Sequence, residues 1–310
     1  MDYAMAARYV GSAARMTGKT ERVMVEICPI HNKPQDGDFT FEEQRGTMAL
    51  LFRAGINHIN SYLKPERLGD HFPKYADMFA RAAYVLRGAH WIGRIGVYYP
   101  IETAQGYYAP DTVGVNSGAH LSEAILFAEK TLASLNRSLG SAGLDYTLID
   151  GDWMLEAKAE GGILSANGLE ISTLVMPAVR WLSPDILEKI HSFVQAGGRV
   201  LWIEAKPDGI NAPLTENAAA ALREIVDYSL CLKTQNQEDI LVSPYEKEGH
   251  RMWYLVNNSS SEAVVTAALA DGSGALSVWD LLTGTVSEAG MSRPFHIPMY
   301  SAVIVMEEIS

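Results

Sequence analysis

The sequence predicts an α/β protein of two domains or three that ends in an all-β region. Three observations carry this. Apolar segments of helix and strand period alternate over residues 3–60, and again from about residue 91 to 203. Such alternation implies parallel strands joined by crossover helices. From about residue 236 the helical period is replaced by short strand-like runs with turn residues between them, which reads as an antiparallel β-sandwich.

Taken in order, Met5, Tyr9, Ala13 and Met16 mark a buried helical stripe, with Gly18 at its C-cap. Val23 to Ile27 is a short apolar strand. After a polar loop, Thr40 and Glu43 form a capping box for a helix carrying Met48, Leu51 and Phe52, which Gly55 stops. "INHIN" follows as the next strand. Residues 1–62 are thus one βα segment and 63–90 a connector with a helix around Tyr75 to Arg87. Residues 91–235 repeat the pattern as an open, doubly wound sheet, flavodoxin-like in outline. Its strands are "RIGVYYP", "LDYTLID", "LEISTLVMP" and "RVLWIE". One helix spans 117–139. Another has Ser183 as N-cap, Pro184 at its first position and Gly197 at its end. Residues 236–310 form the sandwich.

Composition narrows the function. A chain of 310 residues, 48% hydrophobic and 20% charged, is ordinary for a globular protein. With a net charge of −12 and no Lys/Arg cluster, nucleic acid and anionic membranes are poor partners, whereas an uncharged substrate is compatible. No apolar run approaches the ~20 residues of a membrane span. The N-terminus has an acid at position 2 and no long apolar block, unlike a signal peptide. Cys28 and Cys231 are far apart and form no CxxC or zinc pattern. A reduced, cytoplasmic protein is the first reading, and one disulfide between them the other. No metal motif is visible, and no cofactor is expected.

The stretch "RVMVEICPIH", residues 22–31, carries the candidate chemistry. A carboxylate, Glu26, stands where an apolar strand should end. In a barrel of parallel strands the reacting groups sit at those ends. Asn57, His58, Asn60 and Tyr62 cluster at the end of the next strand, and His31 closes the loop after the first. A carboxylate beside amides, imidazoles and a phenol suits a sugar site. Glycoside hydrolysis uses paired carboxylates, one as acid and the other as nucleophile or base. The plainer readings are a solvated loop glutamate and a structural histidine.

A resemblance adds to this. "AARYVGSAARMTGKTERVMVEICPIHN" followed by "LLFRAGINHINSYL" resembles the last third of a glycosidase (β/α)8 barrel. Glu26 would end barrel strand seven, and "GINHIN" would be strand eight. The long segment from "YTLIDGDWMLE" to "GGRVLW" resembles the class I glutamine-amidotransferase-like domain that follows the barrel in enzymes similar to family 106 rhamnosidases and family 42 β-galactosidases. "WYLVNNS" and "SVWDLLTGTV" resemble their β-sandwich. The resemblance implies a partial (β/α)8-barrel segment and an oligosaccharide or glycoside substrate. It further implies Glu26 as one catalytic carboxylate, with Asn57, His58, Tyr62 and His31 on the sugar. The acid/base carboxylate of such enzymes follows an earlier strand than any in this chain. The chain reads either as the C-terminal part of a longer enzyme or as a shortened, non-catalytic relative. Some rhamnosidase-like relatives use calcium, for which no ligands are placed here.

Other motifs lead away from chemistry. The turn after "RIGVYYP" lacks G-x-G-x-x-G, so Asp150 reads as a loop or cap residue. The glutaminase nucleophile position has Pro177 and no cysteine. Tyr98, Tyr99, Tyr107 and Tyr108 read as loop packing before a sugar platform, and Trp253 and Trp279 as core. The alternatives to a glycosidase are an oligomerisation or sugar-binding protein, and an α/β domain with a ligand at its own switch point. The strands at Val23 and Ile56 read as apolar on both faces, as in a closed barrel. Only a quarter of such a barrel is present. A homo-oligomer, a C2 dimer, with residues 1–62 near its interface is therefore expected.

Overall fold

The computed structural model describes residues 3–27, 40–61, 65–108, 122–272 and 274–308. The chain divides into two compact units. One comprises residues 1–93, 140–145 and 227–310, and the other residues 94–139 and 146–226.

The first unit opens with α1 (Tyr3–Met16), β1 (Met24–Ile27), α2 (Phe41–Arg53) and β2 (His58–Ser61). β1 and β2 are parallel, in the register Met24–His58 and Glu26–Asn60. The capping box forms as the sequence predicts: the Thr40 side chain accepts from the Glu43 N–H, and Glu43 accepts from the Thr40 N–H. Apolar burial then draws the helices together, since Ala7, Val23, Leu51, Ala54 and Ile56 form one cluster with Val25 and Ile59 against it. α1 crosses the end of α2 at Gly11. A β-carbon there would lie 1.8 Å from the Ala54 carbonyl oxygen, so only glycine permits this approach.

α3 (Phe72–Leu86) and β3 (His90–Trp91) complete the N-terminal part. The ring of Phe52 on α2 lies 5.2 Å from Phe79 and 6.5 Å from Tyr254 of the C-terminal region. The Arg45 guanidinium donates to the Met299 and Tyr300 carbonyls. The helices beside β1 and β2 are therefore covered within the chain.

The second unit contains β4 (Ile95–Tyr98), α4 (Ile101–Gly106), α5 (Glu123–Ser141), β5 (Thr147–Ile149) and α6 (Gly151–Glu156). There follow β6 (Lys158–Glu160), β7 (Ile163–Ala166), β8 (Leu169–Ile171), β9 (Thr173–Pro177), α7 (Pro184–Gln195), β10 (Arg199–Ile203) and α8 (Ala218–Arg223). β10, β9, β4 and β5 lie in that order, all parallel. Numbered along the chain, the order is 2-1-3-4. "LEISTLVMP" is not one strand. Both Ser172 and Thr173 N–H groups turn to the Arg94 carbonyl. The residues before them, β8, join β6 and β7 in a separate antiparallel sheet. Asp150 caps α6, accepting from the Trp153 N–H at 2.9 Å. Ser183 does the same for α7.

The remaining strands are β11 (Leu230–Lys233), β12 (Ile240–Lys247), β13 (His250–Asn257), β14 (Ala263–Leu269), β15 (Ala275–Asp280), β16 (Val286–Ala289), β17 (Phe295–Ile297) and β18 (Ser301–Glu308). They form a three-stranded sheet, β11-β14-β17, and a six-stranded sheet, β16-β15-β18-β13-β12-β3, both antiparallel. Val242, Trp253, Leu255, Val265, Phe295 and Val305 from the two sheets share one core. Trp253 is fully buried, as expected. Trp279 is only half-buried, as it sits toward the end of β15. Cys231 is exposed, with a free thiol, so no disulfide joins it to Cys28, which lies outside the described residues.

A buried ionic cluster ties the distant segments of this unit together. Asp145, fully buried, accepts from Arg8 at 2.8 Å and from the Trp91 indole at 2.8 Å, with Arg53 at 3.6 Å. The Tyr228 hydroxyl accepts from its backbone N–H and donates to its carbonyl. Burial alone would raise the Asp145 pKa. The charges of Arg8, Arg53 and Arg15 outweigh burial and, with the Trp91 hydrogen bond, hold it below the usual carboxylate range.

Candidate functional site

The β1–β2 pair positions the candidate residues by simple alternation. Val23, Val25, Ile56 and Ile59 face the helices. Met24 and Glu26 of β1 and His58 and Asn60 of β2 stand on the opposite, exposed face. These strands are therefore not apolar on both faces. One face carries a carboxylate, an amide and an imidazole.

Glu26 and Asn60 are register partners, and Asn60 Nδ2 donates to Glu26 Oε1 at 3.0 Å. His58 is one pair earlier on the same face, beside Met24, at the start of β2 rather than its end. Asn57, expected to contact substrate, has its amide engaged elsewhere. It is buried, accepts from the Val23 N–H at 2.9 Å and donates to the Thr20 carbonyl at 2.8 Å. Its role is to fix the entry of β1 against β2. His31 and Tyr62 lie outside the described residues. Asn60 is the contact that sequence alone ranks too low, and its i,i+2 spacing from His58 is the signal that places it on the same face.

The face presents one carboxylate, Glu26. Its Oε1 is held by a neutral amide donor, and Oε2 accepts no hydrogen bond from a described residue. Such a carboxylate can attack an electrophilic carbon or take a proton from water. Among the described residues no group of three or more His, Cys, Asp or Glu could hold a metal. No described helix is long and apolar enough to cross a membrane.

In the second unit, the carboxyl ends of the parallel strands carry Tyr98, Asp150 and Ala178. The Tyr98 hydroxyl donates to Glu102, and burial and then this bond push its phenol pKa far up. It is packed, whereas Tyr107 and Tyr108 are exposed, contrary to the packing expected of them. Ala178 follows β9 at a left-handed φ of 50°, a strained turn occupied by a residue without a reactive group.

This fold belongs to a class. The chain is similar in fold along nearly its whole length to parts of solved glycoside-hydrolase structures. Three solved structures illustrate this. A rhamnosidase from Novosphingobium sp. PP1Y is 14% identical with a TM-score of 0.64, over 97% of this chain and 32% of that one. A β-galactosidase from Bacillus circulans sp. alkalophilus is 11% identical with a TM-score of 0.66, over 99% and 58%. α-L-Fucosidase isoenzyme 2 from Paenibacillus thiaminolyticus is 14% identical with a TM-score of 0.59, over 98% and 63%. The chain thus spans from a third to under two thirds of the length of these structures. No protein-family profile and no curated protein sequence matches it.

Proposed function

We propose that this chain is the C-terminal region of a carbohydrate-active enzyme that hydrolyses glycosidic bonds, with Glu26 as one catalytic carboxylate. The observation that carries the reading is the polar, open face of a parallel strand pair, on which Asn60 holds Glu26 by one oxygen. In this reading β1 and β2 are two strands of a (β/α)8 barrel and the open face is its lumen. The parallel sheet is flavodoxin-like, a class I glutamine-amidotransferase-like layer without the nucleophile. The two antiparallel sheets form a β-sandwich.

Glu26 then acts on a glycosidic carbon as nucleophile, or on water as base. A partner carboxylate from an earlier barrel strand supplies or removes the other proton. A separation of about 5–5.5 Å between the two would make the enzyme retaining, and about 6.5–9.5 Å inverting. His58 contacts sugar hydroxyls, with Tyr62 and His31 as further contacts. Asn57 contributes by holding β2 in register. The test is a panel of aryl-glycosides offered to the longest in-frame form of the protein that includes the preceding barrel strands. Turnover of at least one member supports the reading, and none across the panel rejects it.

A second reading is favoured by one observation: among the described residues, Glu26 is the only carboxylate on the strand face. The chain would then be a non-catalytic oligomerisation or sugar-binding protein. Oligosaccharide binding in calorimetry without turnover would select it.

A further inference from the structure

We propose that the first unit binds a neutral saccharide in the cleft where β11 parts from β14. This site is separate from the β1–β2 face and does not rest on Glu26 being catalytic. β11 and β14 are antiparallel, and their ladder runs from Leu230–Leu269 to Lys233–Thr266. Continued in that register, Gln235 would stand opposite Val264 and Asn236 opposite Ala263. Instead the ladder stops. β14 continues along β17, with Ala263 paired to Ile297, while the segment after β11 enters a 3-10 turn at Gln237–Asp239 and then β12. A cavity of about 430 Å³ opens between the two, lined by residues 233–236 and 239 on one side and 259 and 261–264 on the other. Its volume lies within the roughly 300–1,000 Å³ of small-molecule sites. The gap is too short to admit an added strand. Beyond it the walls rejoin, where the Asn258 N–H donates to the Asp239 carbonyl at 2.9 Å.

The wall carrying Ser259 and Ser261 is held in shape before anything binds. Asn257, 0% exposed, donates to the Ser261 and Ile297 carbonyls at 2.7 and 2.9 Å and accepts from the Ser259 N–H at 3.0 Å. The lining side chains are, by contrast, unspent. Those of Lys233, Gln235, Asn236 and Asp239 make no hydrogen bond to a described residue. Glu262 uses Oε1 alone, against His296 Nδ1 at 2.8 Å.

The chemistry of the lining selects the ligand. One ammonium against two carboxylates disfavours a phosphate or another anion. Amides, an ammonium donor and carboxylate acceptors together match the hydroxyls of a sugar, which both donate and accept. Val264, 49% exposed in this polar setting, offers an apolar surface to the C–H face of a sugar ring.

The test uses the chain as it is. Saturation-transfer NMR with the methyl glycosides of glucose, galactose, mannose, fucose and rhamnose should show transfer to at least one of them. Titration of that glycoside should give a Kd about tenfold higher, or more, in Asp239→Ala than in wild type. Gln235→Ala should also weaken binding. Neither side chain supports a contact within the described fold, so both variants should keep the circular dichroism spectrum. No transfer from any member of the panel, or a Kd unchanged in both variants, would overturn the proposal. The catalytic reading of Glu26 is decided by turnover in the longer form, so either can fail without the other.

Discussion

Asn57 and Glu26 lie one face apart on the same strand pair, and their fates differ for that reason. Asn57 falls on the buried side, where the nearest polar groups are the backbone of residues 20 and 23. Asn57→Leu should remove both hydrogen bonds and leave the buried Val23 N–H unsatisfied, at a cost of about 2 kcal/mol. Urea denaturation at neutral pH measures this, and an unchanged midpoint would contradict the role. The period-two alternation that exposes Glu26, His58 and Asn60 is present in the sequence, although both strands read there as apolar on both faces. The engagement of Asn57 is not legible there, because its partners are backbone atoms at a separation fixed only by folding.

Among the elements, the capping box of α2 and the N-cap of α7 were readable because their signals are local. The division of "LEISTLVMP" between two sheets was hidden, since a run of apolar residues does not reveal which neighbour each half pairs with. The crossing of α1 over α2 was equally hidden: Gly11 sits inside a helical pattern and only the Ala54 carbonyl explains it. Gly11→Ala should force the helices apart and cost about 1–3 kcal/mol, read as a lower melting midpoint. An unaltered midpoint would mean that the crossing relaxes freely. The turn after β9 places Ala178, not a thiol, at its strained position. The second unit should therefore release no ammonia from glutamine. Glutamine hydrolysis abolished by Cys28→Ser or Cys231→Ser would overturn that view.

At the scale of the whole molecule, the sequence pointed to an α/β chain with an all-β end. It did not reveal that residues 140–145 belong with both termini. Asp145 makes that connection through arginines more than ninety residues away in α1 and α2. Asp145→Asn should cost about 3–5 kcal/mol at pH 7, because it removes the buried carboxylate that pairs with Arg8 and Arg53. The folded pKa of Asp145 is depressed. The contribution of the ion pair is therefore complete above the unfolded carboxylate value of about 3.9 and fades as pH falls through the folded value. The stability gap between wild type and variant should narrow below about pH 4, and a gap constant from pH 7 to pH 3 would contradict the assignment.

Among the described residues the β1–β2 pair has unpaired strand edges, which make self-association the expected behaviour of the chain alone. Light scattering over a tenfold dilution should show a dimer or larger species, and a monomer throughout would mean that the pair needs no cover.

The central claim is that Glu26 is chemically active on the lumen face of a barrel. The most direct test compares turnover of the best aryl-glycoside by wild type and Glu26→Gln in the form that carries the preceding barrel strands. The amide keeps the shape and polarity of the side chain but can neither attack nor take a proton. A fall in kcat of roughly 10³-fold or more, with the melting midpoint unchanged, is the predicted result. A variant that retains near-normal kcat would contradict the account.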